Sequence, residues 1–485
     1  MPEKLRRDFD LIIVGLGSAG MVAADFATEL RVRTAAVEGS RVGGDCLWTG
    51  CVPSKSLLAA AGTAHVIRTA SRFGIVAAEP ELDLAAVWRR IGEVQAAIAA
   101  SDDSPERLRG EGIEVFTGES ARLIDPHTIA VGGRILTSRF LLICTGSHPT
   151  VPPIPGLGET GFVTSETFFE LPSPPPRLVF IGGGPISLEL AQAMRRLGVE
   201  VTILELAAQI ATREEPELVA ALVAVLRREG VVIETGVEIA EVVSTEKGKM
   251  VRGSVSGKRR SWVADEIFVG TGRRPNLDGL GLENVGVEMR RAGIVVDRGL
   301  RTSVHSIYAC GDATGRYLFT HSAGHEAVQA LRGMFFPGQG RAPKLVPWCT
   351  FTDPQLAHVG LTVAEAEATH GKVCVYRSDM THSDRARADS ATEGRVLLIT
   401  AKRRLVGAQI LAPNAGEAIH ELCLAISQGL KIEAIYNLVH IYPTYSTSVG
   451  QAAAQAGKEQ VRRLQWLVRR RSRCCRFGAS ILKTR

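Results

Sequence analysis

Two cysteines, Cys46 and Cys51, lie in a short run that constrains this chain more than any other part of its sequence. The run reads Gly43-Gly44-Asp45-Cys46-Leu47-Trp48-Thr49-Gly50-Cys51-Val52-Pro53-Ser54-Lys55. A tight turn at Thr49-Gly50 would let the two sulfurs close a small ring. The residues from Pro53 onward are typical of a helix with proline in its first turn, so Cys51 sits at a helix N-terminus with Lys55 one turn further on. Both features favour a thiolate, and the run therefore predicts a redox-active dithiol.

The alternatives are a structural cysteine pair and a metal site. The chain has nine cysteines among 485 residues, and its charged first ten residues contain no apolar segment typical of a signal peptide. We therefore expect a cytoplasmic, reducing environment, in which a close cysteine pair is usually catalytic or metal-binding. A zinc site would need two more ligands at paired spacing, and none lies nearby in the sequence. The redox interpretation is favoured.

The N-terminal residues show a dinucleotide-binding pattern. An apolar run at 11–14 leads directly into Gly15-Leu16-Gly17-Ser18-Ala19-Gly20, a helical stretch follows, and a second apolar run ends on Glu38. In such a strand–turn–helix–strand unit the glycines let the backbone approach a pyrophosphate, and the acidic residue accepts hydrogen bonds from a ribose. The sequence predicts a first dinucleotide site here.

A second copy of this pattern begins at Arg177. The apolar run 178–181 is followed by Gly182-Gly183-Gly184-Pro185-Ile186-Ser187, a helical stretch, and a strand pattern that ends on Glu205. Ser187 stands where the third glycine is usual, and it is small enough for close helix–strand packing. The carboxylate of Glu205 would accept from an unmodified ribose and repel a 2′-phosphate, so NAD is favoured over NADP.

These motifs together resemble the FAD-dependent pyridine nucleotide–disulfide oxidoreductases, which include lipoamide dehydrogenase, glutathione reductase and mercuric reductase. The resemblance runs from about residue 8 to about residue 455, and the run at 43–55 is its most specific part. It implies an α/β enzyme with two Rossmann-like domains, for FAD and NAD(P), and a C-terminal α+β dimerisation domain. The expected division is an FAD-binding domain at 1–148 and 273–345, an NAD(P)-binding domain at 149–272, a dimerisation domain at 346–455 and a basic tail at 456–485.

The resemblance also assigns residues. It implies that Cys51 faces the flavin, that Cys46 meets the substrate, and that Lys55 pairs with Glu189 beside the flavin. Pro185 stands where some relatives have an aromatic gate, so no gate is expected. The implied cofactor contacts are Gly15, Gly17, Gly20, Glu38, Gly44, Lys55, Gly118, Thr145, Gly146, Ser147, Gly182, Gly184, Glu205, Gly272 and Asp312. Hydride would pass from NAD(P)H, with NADH slightly favoured, through one FAD per subunit to the Cys46–Cys51 disulfide. Family members are homodimers whose active sites include the partner's interface domain.

The chain departs from the family pattern at the proton-shuttling base. Relatives that reduce lipoamide or glutathione disulfide use the second histidine of a His-x-His-Pro motif and a glutamate five positions later. This chain has His440-Ile441-Tyr442-Pro443, with Thr447 at the glutamate position. Tyrosine titrates near pH ~10 and histidine near ~6.5, so Tyr442 is a poor base that could instead donate a hydrogen bond or line a metal site. If the segment is extended, His440 shares a face with Tyr442 and is a candidate substitute.

A tyrosine at this position is similar to mercuric reductase, which also has a cysteine pair near its C-terminus. This chain has Cys474-Cys475, and thiolates are suitable ligands for a soft metal acceptor that needs no proton shuttle. Against this, the pair lies in an arginine-rich run ten residues from the end, and we expect no N-terminal metal-carrier domain. The expected acceptor is a metal ion or small molecule such as mercuric ion or a quinone. The alternatives are a dihydrolipoamide dehydrogenase-type enzyme with another base and a membrane-docked flavoprotein binding subunit.

The charge of the chain is concentrated in its tail. Residues 461–485 contain nine Lys and Arg and no acidic residue, and subtracting them from the net charge of +6 leaves −3 for the rest. We therefore expect no nucleic-acid partner. An apolar stripe of Val461, Leu464, Leu467 and Val468 against arginines would suit peripheral contact with an acidic membrane. A frayed, solvated extension is the preferred alternative. No apolar run is long enough to predict a membrane span.

Overall fold

The computed structural model describes residues 7–336 and 338–481, with side chains described as far as Trp466. The chain forms two compact units, one made of residues 1–212 and 226–346 and the other of residues 213–225 and 347–485. None of the helices in the described part of the chain is long and apolar enough to cross a membrane.

The first half of the larger unit carries five helices and seven strands. In chain order they are β1 (Phe9–Val14), α1 (Ser18–Glu29), β2 (Thr34–Glu38), α2 (Gly44–Trp48), α3 (Cys51–Arg68), α4 (Leu84–Ser101), α5 (Pro105–Gly110), β3 (Glu114–Thr117), β4 (Ala121–Asp125), β5 (Thr128–Val131), β6 (Arg134–Ile143) and β7 (Ser147–Pro149).

The chain then forms a second strand–turn–helix–strand fold of the nucleotide-binding type, and its later residues add strands and a helix to the first one. The elements of this stretch are α6 (Leu157–Thr160), β8 (Arg177–Ile181), α7 (Pro185–Arg196), β9 (Glu200–Glu205), α8 (Pro216–Arg228), β10 (Val232–Thr235), β11 (Val237–Thr245), β12 (Gly248–Val255), β13 (Lys258–Ala264), β14 (Glu266–Val269), β15 (Arg273–Pro275), β16 (Met289–Arg290), β17 (Gly293–Ile294), β18 (Ile307–Ala309) and α9 (Thr320–Phe335). Most of α8 is counted with the smaller unit.

The two sheets repeat one topology. Parallel strands run β3-β2-β1-β6 in the first, with β18 added beside β6, and β10-β9-β8-β14 in the second. An antiparallel layer accompanies each sheet, formed by β4, β5 and β6 in the first and by β11, β12 and β13 in the second. This arrangement confirms the predicted α/β fold class.

The continuous apolar run in β1 is explained by burial on both faces. Leu11 and Ile13 pack into a core shared with α1 and α9, whereas Ile12 and Val14 pack into a core shared with β4, β5 and β18. All four residues are 0–3% exposed. Because successive strand residues point to opposite faces, a strand between two layers cannot show alternating polarity. This layering brings the carboxyl ends of β1, β6 and β18 to one edge of the sheet.

The smaller unit is an antiparallel sheet with helices. Its elements are β19 (Trp348–Thr350), β20 (Gln355–Gly360), α10 (Val363–His370), β21 (Val373–Asp379), α11 (Asp384–Ala388), β22 (Arg395–Ala401), β23 (Arg404–Ala412), α12 (Ala415–Ala418), α13 (His420–Ser427), α14 (Ile432–Tyr436) and α15 (Thr447–Ile481). The strand order is β19-β20-β23-β22-β21. The sequence predicts one helix over 417–428, but the structure divides it at Ile419 between α12 and α13.

The tail differs from the frayed extension preferred on sequence grounds. Helix α15 continues through it to Ile481. Residues 458–477 contain neither glycine nor proline and are rich in arginine, leucine and glutamine, which are good helix formers. Val461 and Leu464 are exposed at 63% and 43%. Leu467, Val468, Cys474 and Cys475 lie outside the residues whose side chains are described.

The core of the second nucleotide-binding type of unit provides a test of packing. Phe268 on β14 is fully buried and contacts Phe180 and Phe168, with ring centroids 5.1 and 5.7 Å away. We expect Phe268→Ala to lower the free energy of unfolding by about 3–5 kcal/mol through lost burial and a cavity. The measurement is urea unfolding followed by circular dichroism, with Val76→Ala, at a 99% exposed site, as the control. Equal midpoints for the two variants would contradict this account of the core.

Candidate functional site

Cys46 and Cys51 come together because two helices meet at a tight turn. Cys46 lies in the five-residue helix α2, and Cys51 is the first residue of α3, directly after Gly50. Both cysteines are free thiols in hydrogen-bond contact with each other. The predicted proximity of the two sulfurs is therefore present in the folded chain.

The two thiols have opposite acidities. The hydrogen bond from Cys46, aided by the Thr320 hydroxyl and the charge of Lys55, lowers the pKa of Cys51 to about 6. The same hydrogen bond, together with burial, raises the pKa of Cys46 well above its ordinary value. At neutral pH the reduced pair is thus a Cys51 thiolate that accepts a hydrogen bond from the Cys46 thiol.

Three helices begin around this pair. Ser18 opens α1, Cys51 opens α3 and Thr320 opens α9, and the Thr320 hydroxyl lies 3.5 Å from the Cys51 sulfur. Hydrogen bonds from Ser18 and Thr320 also act on the Cys46 sulfur. Helix N-termini carry partial positive charge, so their convergence favours negative charge on sulfur.

An ion pair stands one helical turn beyond Cys51. The ammonium of Lys55 lies 2.7 Å from the carboxylate of Glu189 on α7, and that carboxylate is 8% exposed. At the far ends of the same two helices, Arg68 donates to the carbonyl of Arg196. Helices α3 and α7 are therefore joined at both ends, which fixes the dithiol relative to the second nucleotide-binding type of unit.

The short helix α2 depends on outside partners for its position. Gln95 on α4 donates to the carbonyls of Leu47 and Trp48, at 3.0 and 2.8 Å, and the Trp48 indole donates to the Val42 carbonyl at 2.7 Å. A five-residue helix is not stable alone, and its terminal carbonyls need donors. Helix α4 thus holds in place the short helix α2, which carries Cys46.

The first glycine turn is shaped for close backbone approach. Gly15 has φ +98°, and a Cβ there would lie 2.4 Å from the Cys144 carbonyl oxygen; a Cβ on Gly20 would lie 1.9 Å from the Gly15 carbonyl oxygen. A Cβ on Gly44 would lie 2.7 Å from the Cα of Gly17, so the dithiol arm rests on this turn. The start of α2, the helix that carries Cys46, therefore packs directly against the glycine turn.

The two glycine turns are held by the same pattern of hydrogen bonds. Glu38 accepts from the backbone nitrogens of Leu16 and Ser40 at 2.7 and 2.8 Å. Glu205 accepts from those of Gly183 and Ala207 at 2.6 and 2.7 Å. In each unit the acidic residue at the end of the second strand thus holds the middle residue of the glycine turn, at the place where a ribose is expected.

The third glycine position differs between the turns. Ser187 is fully buried, and its Oγ lies 2.3 Å from the position that a Cβ on Gly270 would take. In the first unit, Gly20 holds the helix position that corresponds to Ser187, and Cys144 follows β6 as Gly270 follows β14. The small residue has therefore exchanged places between helix and strand. A Cβ on Gly182 would lie 2.5 Å from the Gly270 carbonyl oxygen, whereas Gly184 has wider spacing.

The loops that follow β6 and β18 hold the other predicted cofactor residues. Ser147 donates to Asp312 at 2.5 Å, and burial raises the pKa of Asp312. The Thr145 hydroxyl is buried with no hydrogen-bond partner. Gly146 and Gly272 have φ of +70° and +122°, and Gly118 has φ +73° with open space around it. An unpaired buried hydroxyl beside a glycine cradle fits a dinucleotide such as FAD.

The smaller unit places His440 and Tyr442 in different surroundings. Tyr442 is 67% exposed and donates to Asp384 at 2.9 Å, a contact that raises the pKa of the phenol. The His440 ring is 9% exposed, with Nε2 3.1 Å from Glu421, and Nδ1 faces Gly450 on α15. Residues 440–442 do not form a strand, so the condition for a shared face is not met; His440 packs inward, whereas Tyr442 is exposed.

Metal ligation by the tail cysteines is not described by the structure, because the side chains of Cys474 and Cys475 lie outside its described part. Among the described residues, no group of three or more His, Cys, Asp or Glu is arranged to hold a metal ion.

Three residues at the site were missed by sequence reasoning. Thr320 and Ser18 act on the sulfurs from the starts of α9 and α1, and Gln95 holds α2. Thr320 is 269 positions from Cys51, so no local pattern connects them. A helix-start pattern at Thr320 would have been the available signal, but it does not indicate what the hydroxyl faces.

Comparisons with known proteins agree along most of the chain. Residues 9–327 match the model of the family described as pyridine nucleotide-disulphide oxidoreductase, and residues 346–453 match its dimerisation domain. A mercuric reductase of Staphylococcus aureus is 32% identical over 93% of this chain and 83% of its own length. A dihydrolipoyl dehydrogenase of Thermus scotoductus is 32% identical over 94% of this chain and 99% of its own. The Cu(II) complex of the HOCl-induced flavoprotein disulfide reductase RclA from Escherichia coli has a TM-score of 0.80 at 25% identity, covering 93% of this chain and 100% of that chain.

The contact between Thr320 and Cys51 predicts a change in thiol acidity. Removing the hydroxyl donor with Thr320→Val should raise the pKa of Cys51 from about 6 by about 1, because hydrogen bonds to charged groups contribute about 1.5–3 kcal/mol. The thiolate fraction at pH 7 then falls to about half. The measurement is the pH dependence of alkylation at Cys51 by iodoacetamide, followed by peptide mass spectrometry of the reduced protein. Thr320→Ser should retain the wild-type profile, and an unchanged profile in Thr320→Val would exclude this role.

Proposed function

This chain belongs to the pyridine nucleotide-disulphide oxidoreductase family, and from that membership we propose that it transfers electrons from NADH to an acceptor that needs no protein base. Family members are FAD-dependent enzymes that use NAD(P)H, and bound FAD would supply the passage of an electron pair between nicotinamide and disulfide. Cys46 and Cys51 are the proposed redox pair. The observation that supports this most directly is the lowered pKa of Cys51 beside a protonated Cys46.

The reduced pair contains its own proton acceptor. Cys51 is a thiolate at neutral pH, and Cys46 directs its proton at that sulfur. When Cys46 bonds to an electrophilic acceptor, its proton can pass to Cys51 without another side chain. Lys55, held by Glu189, places positive charge near Cys51 and favours the thiolate between turnovers.

Tyr442 supports an acceptor of this kind. Its phenol donates to Asp384, and that contact raises its pKa, so the group stays protonated at neutral pH. A protonated phenol can donate a hydrogen bond but cannot take up the proton that lipoamide chemistry releases. A soft metal ion requires no such step and prefers thiolate ligands. We therefore propose mercuric ion as the first acceptor, in line with the mercuric reductase relative. Quinones, whose reduction takes up protons, are the second candidate.

A dihydrolipoyl dehydrogenase-type activity is the second candidate, because a relative of that name matches equally well. It would need another base, and His440 paired with Glu421 is the candidate nearest in sequence to Tyr442. Both ring nitrogens of His440 face other groups, and the ring is 9% exposed. These contacts favour a role in joining α13 to α15 over proton transfer to a substrate.

We also propose that the enzyme is a homodimer. Its dimerisation domain carries a run of exposed apolar side chains around Tyr442: Leu438 is 51% exposed, Val439 92% and Ile441 80%. Such a patch on a soluble domain is typical of a protein interface. Burying it against a second copy would place Tyr442 within an interface.

The first test is an anaerobic NADH titration of the purified protein. A long-wavelength charge-transfer band should appear as the Cys51 thiolate forms, and Cys51→Ser should abolish its disulfide-dependent part. Acceptor assays with mercuric ion, quinones, lipoamide and glutathione disulfide follow, and mercuric ion should give the highest turnover. Wild-type turnover of lipoamide above that of mercuric ion would reject the proposed acceptor, and absence of flavin would reject the proposed function.

The preference for NADH rests on the carboxylate of Glu205. Replacing it with Glu205→Gln removes a negative charge that repels a 2′-phosphate, and we expect the kcat/KM ratio of NADPH to NADH to rise about tenfold. Steady-state kinetics with both nucleotides measures this. Glu200→Gln, at the exposed start of β9, is the matched control and should leave the ratio unchanged. If the NADPH-to-NADH ratio of kcat/KM is the same in both variants, the preference for NADH does not depend on Glu205.

A further inference from the structure

A second pair of cysteines lies beneath the loops assigned to FAD. Cys144 follows the last residue of β6 and Cys310 follows the last residue of β18, and their sulfurs are 3.4 Å apart. Both residues are buried, at 6% and 0% exposure, in the core shared with α1 and α9. The proposed electron transfer does not use either residue.

The geometry of this pair suits a disulfide. The parallel pairing of β18 with β6 aligns Ala309 with Ile143, so Cys310 and Cys144 are the next opposite positions. The nitrogen of Cys310 donates to the Ile143 carbonyl at 3.1 Å, which continues that pairing. Neighbouring strands lie about 4.8 Å apart, within the range of Cα separations that a disulfide bridges. The sulfurs need to approach by only about 1.4 Å to reach bonding distance.

We propose that Cys144 and Cys310 form a second dithiol that hydrogen peroxide converts to a disulfide, and that this bond loosens the hold of the adjoining loops on FAD. Cys144 retains a small exposed surface, so it reacts first: its sulfur attacks one peroxide oxygen, the O–O bond breaks, and a sulfenic acid and one water form. Cys310, as the hydrogen-bonded neighbour, then attacks that sulfur and releases a second water. Two thiols lose two electrons and two protons, and the peroxide is reduced to two waters.

The consequence for FAD follows from what adjoins each cysteine. The carbonyl oxygen of Cys144 lies 2.4 Å from where a Cβ on Gly15 would be, so any shift of Cys144 disturbs the first glycine turn. Ser147 and Asp312, three and two residues beyond the pair, are bonded at 2.5 Å and would be displaced together. This part of the inference depends on the proposed FAD site, whereas formation of the disulfide does not.

The test uses the full-length protein with its flavin bound. Samples are treated with hydrogen peroxide, alkylated, digested and analysed by mass spectrometry, and a peptide pair joined through Cys144 and Cys310 is expected. Dithiothreitol should restore both thiols. Release of FAD, followed by the fluorescence of free flavin, should be about fivefold faster in the oxidised protein. The Cys46→Ser/Cys51→Ser variant repeats the measurement without thiol exchange from the other pair.

Two variants control the experiment. Cys310→Ala should prevent both the linkage and the faster release of FAD, and Cys144→Ser serves if that variant folds poorly. Cys374→Ala, which removes an exposed cysteine in the smaller unit, should behave as wild type. Recovery of alkylated Cys144 and Cys310 after complete oxidation of Cys46 and Cys51 would overturn the proposal, as would unchanged FAD release from the linked protein. A protein without flavin would instead reject the proposed function and leave the linkage measurable.

Discussion

The hydrogen bond between Cys46 and Cys51 is the interaction on which the proposed chemistry of this chain depends. It divides one pair of equivalent thiols into a thiolate and a proton donor. The division requires a fixed approach of the sulfurs, which is provided by the turn between α2 and α3 and by Gln95 on α4. The thiolate charge is also stabilised electrostatically, because α1, α3 and α9 all begin at the pair and Lys55 stands one turn away. The Cys51 thiolate is therefore stabilised by the helix N-termini that meet at this edge of the sheet.

The arrangement of glycine turn and strand end at this edge occurs twice in the chain. Both nucleotide-binding types of unit place a glycine turn against the end of a neighbouring strand, and both hold the turn with a carboxylate from the second strand. They differ in where the glycine lies: the first unit has Gly20 on the helix and Cys144 at the strand end, whereas the second has Ser187 on the helix and Gly270 at the strand end. A cysteine is therefore accommodated at the end of β6 in the first unit. Cys310 follows the neighbouring strand β18, so the two buried thiols meet at the ends of paired strands.

The smaller unit departs from the family pattern at the position of the proton-shuttling base. Tyr442 replaces a base with a phenol that remains protonated beside Asp384, while His440 is turned inward to Glu421. The loss of a base matters only for acceptors that must exchange protons during electron transfer. Acceptors that bind directly to thiolate sulfur avoid this requirement, and in the proposed function the proton held between Cys46 and Cys51 is the one that moves.

The amino-acid sequence by itself determined the α/β class, both glycine turns with Glu38 and Glu205, and the helix start at Cys51. Each of these is set by neighbours within about one turn or strand, where periodicity and backbone freedom act directly. The sequence also indicated the substitution at Tyr442. Only the tertiary structure brought Thr320, Gln95 and Cys310 to their sites, turned His440 away from Tyr442, and continued the tail as helix α15. These outcomes depend on which strand ends and helix starts meet, and such contacts join residues as far as 269 positions apart.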